Sequence, residues 1–387
     1  MKIGLYSITY RGVWYQGDAI DVFGLVRLAR DMGFEGLELD AERPHAAPMD
    51  LCADDRKRLR DLAGETGIPI CAVSPNCDLS SPVPVQREAM ICYTRECIKL
   101  AGDLRAPICK IFAAWRGITL YDGLATYNDT YGYNQYGYWK NDRRRFVIDA
   151  VRELAKVAED HGIILAMQNH GPDIVNRYQD VLSLIAEVGS PAFKACMDIN
   201  IEPEADSPEH AEEMVRACGG LQVHSHFNGE FDHTPDGTVE LIAGGYFDSQ
   251  FWGRKVAYPA YVRALVAAGY EGYIDWEFCH PARSNGRPAG TDYIHDQTRM
   301  AIEYMRALQA EALECAQARG CATTGDVNAS HPIPSPTALD RAGAGPRVFI
   351  VTELEGAGGV NDRREQLLPS QRRCAESRHR RSRDNGF

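Results

Sequence analysis

Four short runs between residues 167 and 278 end on residues able to hold a cation or move a proton. They are Met167-Gln168-Asn169-His170, Met197-Asp198-Ile199-Asn200, His224-Ser225-His226-Phe227-Asn228 and Asp275-Trp276-Glu277-Phe278. In turn they supply an amide, a carboxylate, two imidazoles and a carboxylate. If each run is a strand, alternation puts His224 and His226 on one face and turns Glu277 opposite to Trp276. Oxygen donors with one imidazole and no thiolate suit Mn²⁺ or Mg²⁺, accommodate Co²⁺ or Zn²⁺, and disfavour a structural zinc. Asp198, His226 and Glu277 together make the ligand set, although each alone is equally a hydrogen-bonded residue at a strand end. Gln168 is either a further ligand, through a weakly donating amide oxygen, or a partner for a substrate hydroxyl. His170 follows it by two residues, and an imidazole with an ordinary pKa of about 6.5 is a candidate proton acceptor. A loop histidine with only local partners is the alternative. Glu38, Asp40, Arg43, His45 and Lys110 either bind substrate hydroxyls or fill the mouth of the fold. No G-x-S-x-G occurs, and no Ser or Cys has a base at motif spacing, which argues against covalent nucleophilic catalysis.

The elements that must position these residues follow a regular rhythm. Apolar runs fall at 2–9, 36–40, 70–74, 109–113, 163–168, 194–200, 221–226 and 273–278, and amphipathic helical patterns at 21–32, 53–66, 85–101, 141–160, 178–188, 208–218, 259–268 and 291–317. Eight strands alternating with eight helices predict right-handed crossovers, a parallel sheet and closure into a (β/α)₈ barrel. Gly33, Gly67, Gly162 and Gly269 each stand where a helix should end before a strand. The competing doubly wound sheet would want a Gly-rich phosphate loop after the first strand, and none is there. In a barrel, the C-terminal strand ends build the active site, which is where the polar residues above fall.

Composition narrows the class. The chain has 387 residues with 44% in the apolar set, enough for a large core, and a net charge of −12 that disfavours nucleic acid or an anionic membrane surface as a partner. Twelve cysteines without a C-x-x-C pair or a secretory leader, and no apolar run of spanning length, predict reduced thiols in a cytoplasmic protein. Two segments break the rhythm. Trp115–Lys140 is too long for an ordinary loop and carries Trp115, Tyr121, Tyr127, Tyr131, Tyr133, Tyr136, Tyr138 and Trp139. It offers Trp115 and Tyr138 as substrate contacts, or else an interface with a partner subunit or second copy. Beyond the barrel at 1–318, the segment 319–387 loses periodicity and ends in an Arg-rich run, so it is expected to be a disordered, low-complexity tail with only a short strand-like piece at 348–352.

The same residues resemble the xylose-isomerase-like barrels of the sugar phosphate isomerase/epimerase superfamily over roughly 1–312. The matching stretches are Lys2-Ile3-Gly4-Leu5, Gly33-Phe34-Glu35-Gly36-Leu37-Glu38-Leu39, Gln168-Asn169-His170, His226 and Gly272-Tyr273-Ile274-Asp275-Trp276-Glu277. The resemblance implies metal ligands Glu, Asp, His and Glu from strands five to eight, which fall on Gln168, Asp198, His226 and Glu277, with Gln168 departing from the usual Glu. Keto-sugar epimerases of this superfamily carry a His shortly after the strand-six Asp, where this chain has Ile201. Leu5-Tyr6-Ser7-Ile8-Thr9-Tyr10, Arg43-Pro44-His45 and Gln168-Asn169-His170-Gly171-Pro172-Asp173 look like the catalytic (alpha) subunits of bacterial C-glycoside deglycosidases. That subgroup implies a metal-dependent lyase of 3-oxo-C-glycosides, a small beta-type partner subunit, and an aromatic aglycone suited to the long aromatic segment. In such a reaction His170 or His224 removes the C2 proton and the metal stabilises the enolate. A keto-sugar isomerase or epimerase shares that enolate, and a non-catalytic metal-binding barrel is the reading from another class.

Overall fold

A computed structural model of the chain describes residues 1–121, 123–127, 140–171, 174–243 and 255–318. Eight parallel strands close into a barrel: β1 (Lys2–Tyr6), β2 (Leu37–Asp40), β3 (Ile70–Ser74), β4 (Ile108–Ile111), β5 (Ile164–Gln168), β6 (Phe193–Met197), β7 (Gln222–Phe227) and β8 (Tyr273–Trp276). The ring closes where β1 pairs with β8, Lys2 facing Tyr273 and Leu5 facing Trp276. Around it run α1 (Val22–Met32), α2 (Ala53–Thr66), α3 (Pro84–Leu104), α4 (Lys140–His161), α5 (Tyr178–Val188), α6 (Pro208–Cys218), α7 (Tyr258–Ala267) and α8 (Thr291–Ala318). The barrel expectation therefore stands, and no described helix is long and apolar enough to cross a membrane.

Local chemistry explains the helix ends. The Asp21 carboxylate accepts from the amides of Phe23 and Gly24 at 3.0 and 2.8 Å, starting α1, and Ser207 does the same for His210 at 3.1 Å before Pro208 opens α6. Gly33, Gly67, Gly162 and Gly269 all have φ between 65° and 85°, the left-handed conformation that lets the chain leave a helix toward the next strand.

The main core lies between the barrel and the helices, where Leu5, Leu25, Val26, Leu39, Ile98 and Leu154 are fully buried. Inside the barrel, Ala72, Ile108, Ala166 and Cys196 form a small separate apolar plug. Two residues further along the same strands, with the same inward direction, come Ser74, Lys110, Gln168 and Asp198. The plug thus closes one end, and polar side chains fill the other.

The long segment after β4 begins with a hairpin pairing Thr119–Tyr121 with Leu124–Thr126. Tyr121 is exposed, while Tyr127 is buried and stacks on Trp14 with ring centroids 5.8 Å apart. Tyr131, Tyr133, Tyr136, Tyr138 and Trp139 lie outside the described residues, as does the expected tail at 319–387. A second hairpin, Glu230–His233 with Val239–Ala243, follows β7.

Candidate active site

The ends of β5 to β8 bring Gln168, Asp198, His226 and Glu277 together. Gln168 Nε2 donates to Asp198 Oδ2 at 2.5 Å, His226 Nδ1 lies 3.3 Å from the same oxygen, and Glu277 Oε2 is 3.9 Å from that nitrogen. Asp198 Oδ1 accepts the His226 amide at 3.0 Å, which ties the carboxylate to the neighbouring strand. All four residues are buried. Burial opposes ionisation of Asp198, but His226 overrules it and holds the carboxyl below the usual range. Burial instead dominates at Glu277, raising it to about 7 despite His226, with Asp198 and Glu38 adding to the rise.

The donor set fits a divalent cation. Gln168 Oε1 is buried without a hydrogen-bond partner, and two carboxylates share one imidazole nitrogen, so both a vacant lone pair and uncompensated negative charge face the same space. Three clusters among the described residues are close enough to ligate: Cys196 with Asp198 and His226, Glu38 with His224 and His226, and Glu202 with Glu204 and His210. Glu202 already accepts from Asn169 Nδ2 at 2.8 Å and the Tyr178 amide at 2.7 Å, and pairs with His210 at 3.1 Å. It acts as a strut. Asn169 in turn accepts the Asp198 amide at 2.8 Å and donates to the Asp198 carbonyl at 3.1 Å, fixing that residue's backbone.

The remaining candidates separate by position. His170 is at the rim, its Nδ1 2.9 Å from the Gly171 carbonyl and its ring edge-on to Phe112 at 5.1 Å. Burial lowers its pKa to about 4. Trp115 joins it through Phe112, on which it stacks at 6.1 Å, so Trp115, Phe112 and His170 form one continuous wall. His224 lies deeper, its Nε2 shared between Glu38 at 2.9 Å and Asp275 at 3.2 Å. Against the effect of burial, those two carboxylates raise it to about 9. The Glu38 carboxylate, expected to face substrate, is bonded instead to His224, His226 and Ser74, with Lys110 Nζ 3.7 Å away. Arg43 is held bidentately by Asp50 at 2.5 and 2.8 Å, and His45 is enclosed beside Arg11.

Sequence reasoning gave no role to Asp275, Tyr6, Asn169 or Glu202. Strand alternation was a usable signal for Asp275, two residues before Glu277 on the same inward face. Nothing local marks Glu202, whose partners Asn169, Tyr178 and His210 come from the end of β5, from α5 and from α6.

The fold has known relatives. A D-psicose 3-epimerase from Clostridium cellulolyticum H10, solved with D-tagatose, superposes with a TM-score of 0.59 at 18% identity, covering 80% of this chain and 99% of its own. An L-ribulose 3-epimerase gives 0.58 at 18% identity, covering 84% and 99%, and a 3-keto-D-glucoside 4-epimerase from E. coli gives 0.55 at 16%, covering 79% and 99%. At such identities the likeness is one of fold. The sequence itself matches the xylose isomerase-like TIM barrel family over residues 26–317, and the chain belongs to that family.

Proposed function

We propose that the chain is a metal-dependent enzyme of keto-sugar chemistry, and within that class a lyase that cleaves the C–C bond of 3-oxo-C-glycosides, working with a small partner subunit. A divalent cation held by Gln168, Asp198, His226 and Glu277, with Mn²⁺ the first choice, would supply Lewis acidity toward the adjacent carbonyl and hydroxyl oxygens of the sugar. The observation that carries the reading is His170 seated on the Phe112–Trp115 wall. Because a carbonyl only accepts, the 2.9 Å contact with Gly171 puts the proton on Nδ1 and leaves Nε2 as the proton acceptor. His170 Nε2 takes the C2 proton to give the enolate; as the C1–aryl bond breaks, C3 regains its carbonyl, a C1=C2 double bond forms, and the departing aryl carbon takes its proton from a general acid. An aromatic wall beside the base is where an aryl group at C1 would rest.

His224 is not used as the base, since its Nε2 is engaged by two carboxylates. Inverting a carbon requires proton exchange on both faces, and the amide of Gln168 neither takes nor gives a proton, which favours elimination over epimerisation. The test is incubation of the protein with Mn²⁺ and a 3-oxo-C-glycoside, with and without a candidate partner, alongside a free ketose. Release of the aglycone is expected. An epimerised sugar with no aglycone would overturn the lyase reading, and tight metal binding with no turnover of either compound would overturn the enzymatic one.

A further inference from the structure

Glu38 belongs to β2, four strands around the barrel from β6, which leads to Asp198, and two from β8, which leads to Glu277, yet it reaches His226. Its Oε2 is 2.6 Å from His226 Nε2, and both residues are fully buried. We infer that Glu38 is a positioning residue for the cation site: by accepting the hydrogen bond of His226 Nε2 it fixes the imidazole tautomer and leaves Nδ1 as the ligand atom. The inference rests on the cation reading given above and adds which nitrogen is used and what selects it.

An ionised carboxylate only accepts, so the nitrogen facing Glu38 carries the hydrogen, and in the neutral ring the lone pair is then on the other. That other nitrogen, Nδ1, is the one 3.3 Å from Asp198 Oδ2 and 3.9 Å from Glu277 Oε2. With a cation on the Asp198 side, the opposite tautomer would set a hydrogen against the cation and a lone pair against the Glu38 carboxylate. Ring rotation is restrained as well, because Tyr6 stacks on the imidazole at 5.3 Å and 10°. Glu38 is itself pinned by His224 at 2.9 Å, by the Ser74 hydroxyl and by Lys110 at 3.7 Å. The Lys110 ammonium also explains why the cluster of Glu38, His224 and His226, although compact, is a poor place for a second cation. A histidine ligand whose other nitrogen is held by a carboxylate is the arrangement that orients metal-binding imidazoles in general.

Two measurements test this. In the Zn²⁺-loaded wild-type protein labelled with ¹⁵N-histidine, the His226 signals, identified by their loss in His226→Gln, should show a proton retained on Nε2 and a metal-shifted Nδ1 that carries none. A proton on Nδ1, or a shift confined to Nε2, would overturn the inference without any variant having to fold. In the second, Mn²⁺ affinity should fall about 10- to 100-fold in Glu38→Ala and less in Glu38→Gln, whose amide oxygen still accepts. Affinity within threefold of wild type in folded Glu38→Ala would overturn it. So would equal loss in Glu38→Ala and His224→Phe with Glu277→Ala unaffected, which would put the cation in the deeper cluster. If the wild-type protein binds no divalent cation at all, it is the cation reading that fails, and this inference falls with it.

Discussion

Two polar layers lie one behind the other inside the barrel, two residues apart on the same strands, and their charges are balanced differently. In the deeper layer two cationic groups face two carboxylates: Glu38 has Lys110 at 3.7 Å and His224 Nε2 at 2.9 Å, and Asp275 shares that His224 nitrogen at 3.2 Å. In the outer layer Asp198 and Glu277 share a single nitrogen of His226, whose other nitrogen is already engaged by Glu38. Burying charge is tolerable when partners are at hand and costly when they are not. The deeper layer is therefore an internal framework, whereas the outer layer holds the less compensated carboxylates that the proposed cation would neutralise.

That contrast can be broken from either side. The largest effect belongs to Glu277→Ala, which removes one of only two carboxylates from the outer layer. Metal affinity should drop by a factor of about a thousand, roughly 4 kcal/mol, with activity falling alongside. Full metal occupancy in that variant by elemental analysis would sink the assignment. The deeper layer should answer in stability instead. A Cβ on Gly4 would lie 2.0 Å from Asp275 Oδ1, so Gly4→Ala should cost about 3 kcal/mol in denaturant unfolding while the outer ligands stay in place. An unchanged denaturation midpoint would show that Asp275 is not held where it stands.

The two layers were not equally legible in the sequence. Asp198, His226 and Glu277 could be found because barrel topology alone assigns strand ends to one rim, and eight strands could be counted from apolar runs. Helix bounds at Ala53–Thr66, Tyr178–Val188 and Pro208–Cys218 coincide with expectation, since Gly67, Gly189 and Ser207-Pro208 carry their own local signals. The role of Glu38 could not be read. Its partners His224 and His226 are 186 and 188 residues away, and nothing in a linear pattern tells a carboxylate that binds substrate from one that binds two imidazoles. The hairpin at Glu230–His233 and Val239–Ala243 went unforeseen although Pro235-Asp236-Gly237 is a turn signal, because strands this short show little periodicity.

His45 sharpens the comparison at smaller scale, as a polar residue read as a substrate contact that the structure encloses. Burial lowers its pKa to about 4 from an ordinary 6.5. A depressed histidine pKa means that the unfolded chain takes up the proton first, so stability present above about pH 6.5 is lost as pH falls toward 4. Between pH 7 and pH 5 the loss from this one group should be about 2 kcal/mol. His45→Gln should flatten that part of the stability profile; an identical slope in the variant, with weaker substrate binding, would return His45 to the site.

The smallest expected effect tests the wall beside His170. Trp115 is 9% exposed and stacks on Phe112, so its indole shapes the surface against which an aryl group would lie. Ring pairs contribute about 0.5–1.5 kcal/mol beyond the area they bury, and a small ketose has no ring to offer. Trp115→Ala should therefore weaken an aryl 3-oxo-C-glycoside about tenfold, close to 1.4 kcal/mol, and leave the affinity for metal and for a free ketose nearly unchanged. The metal measurement is the control for collateral damage, because the ligands come from β5 to β8 while Trp115 follows β4. Equal loss for the aryl glycoside and the ketose would mean that the wall shapes the sugar subsite, and the argument for an aromatic aglycone would then lose its structural support.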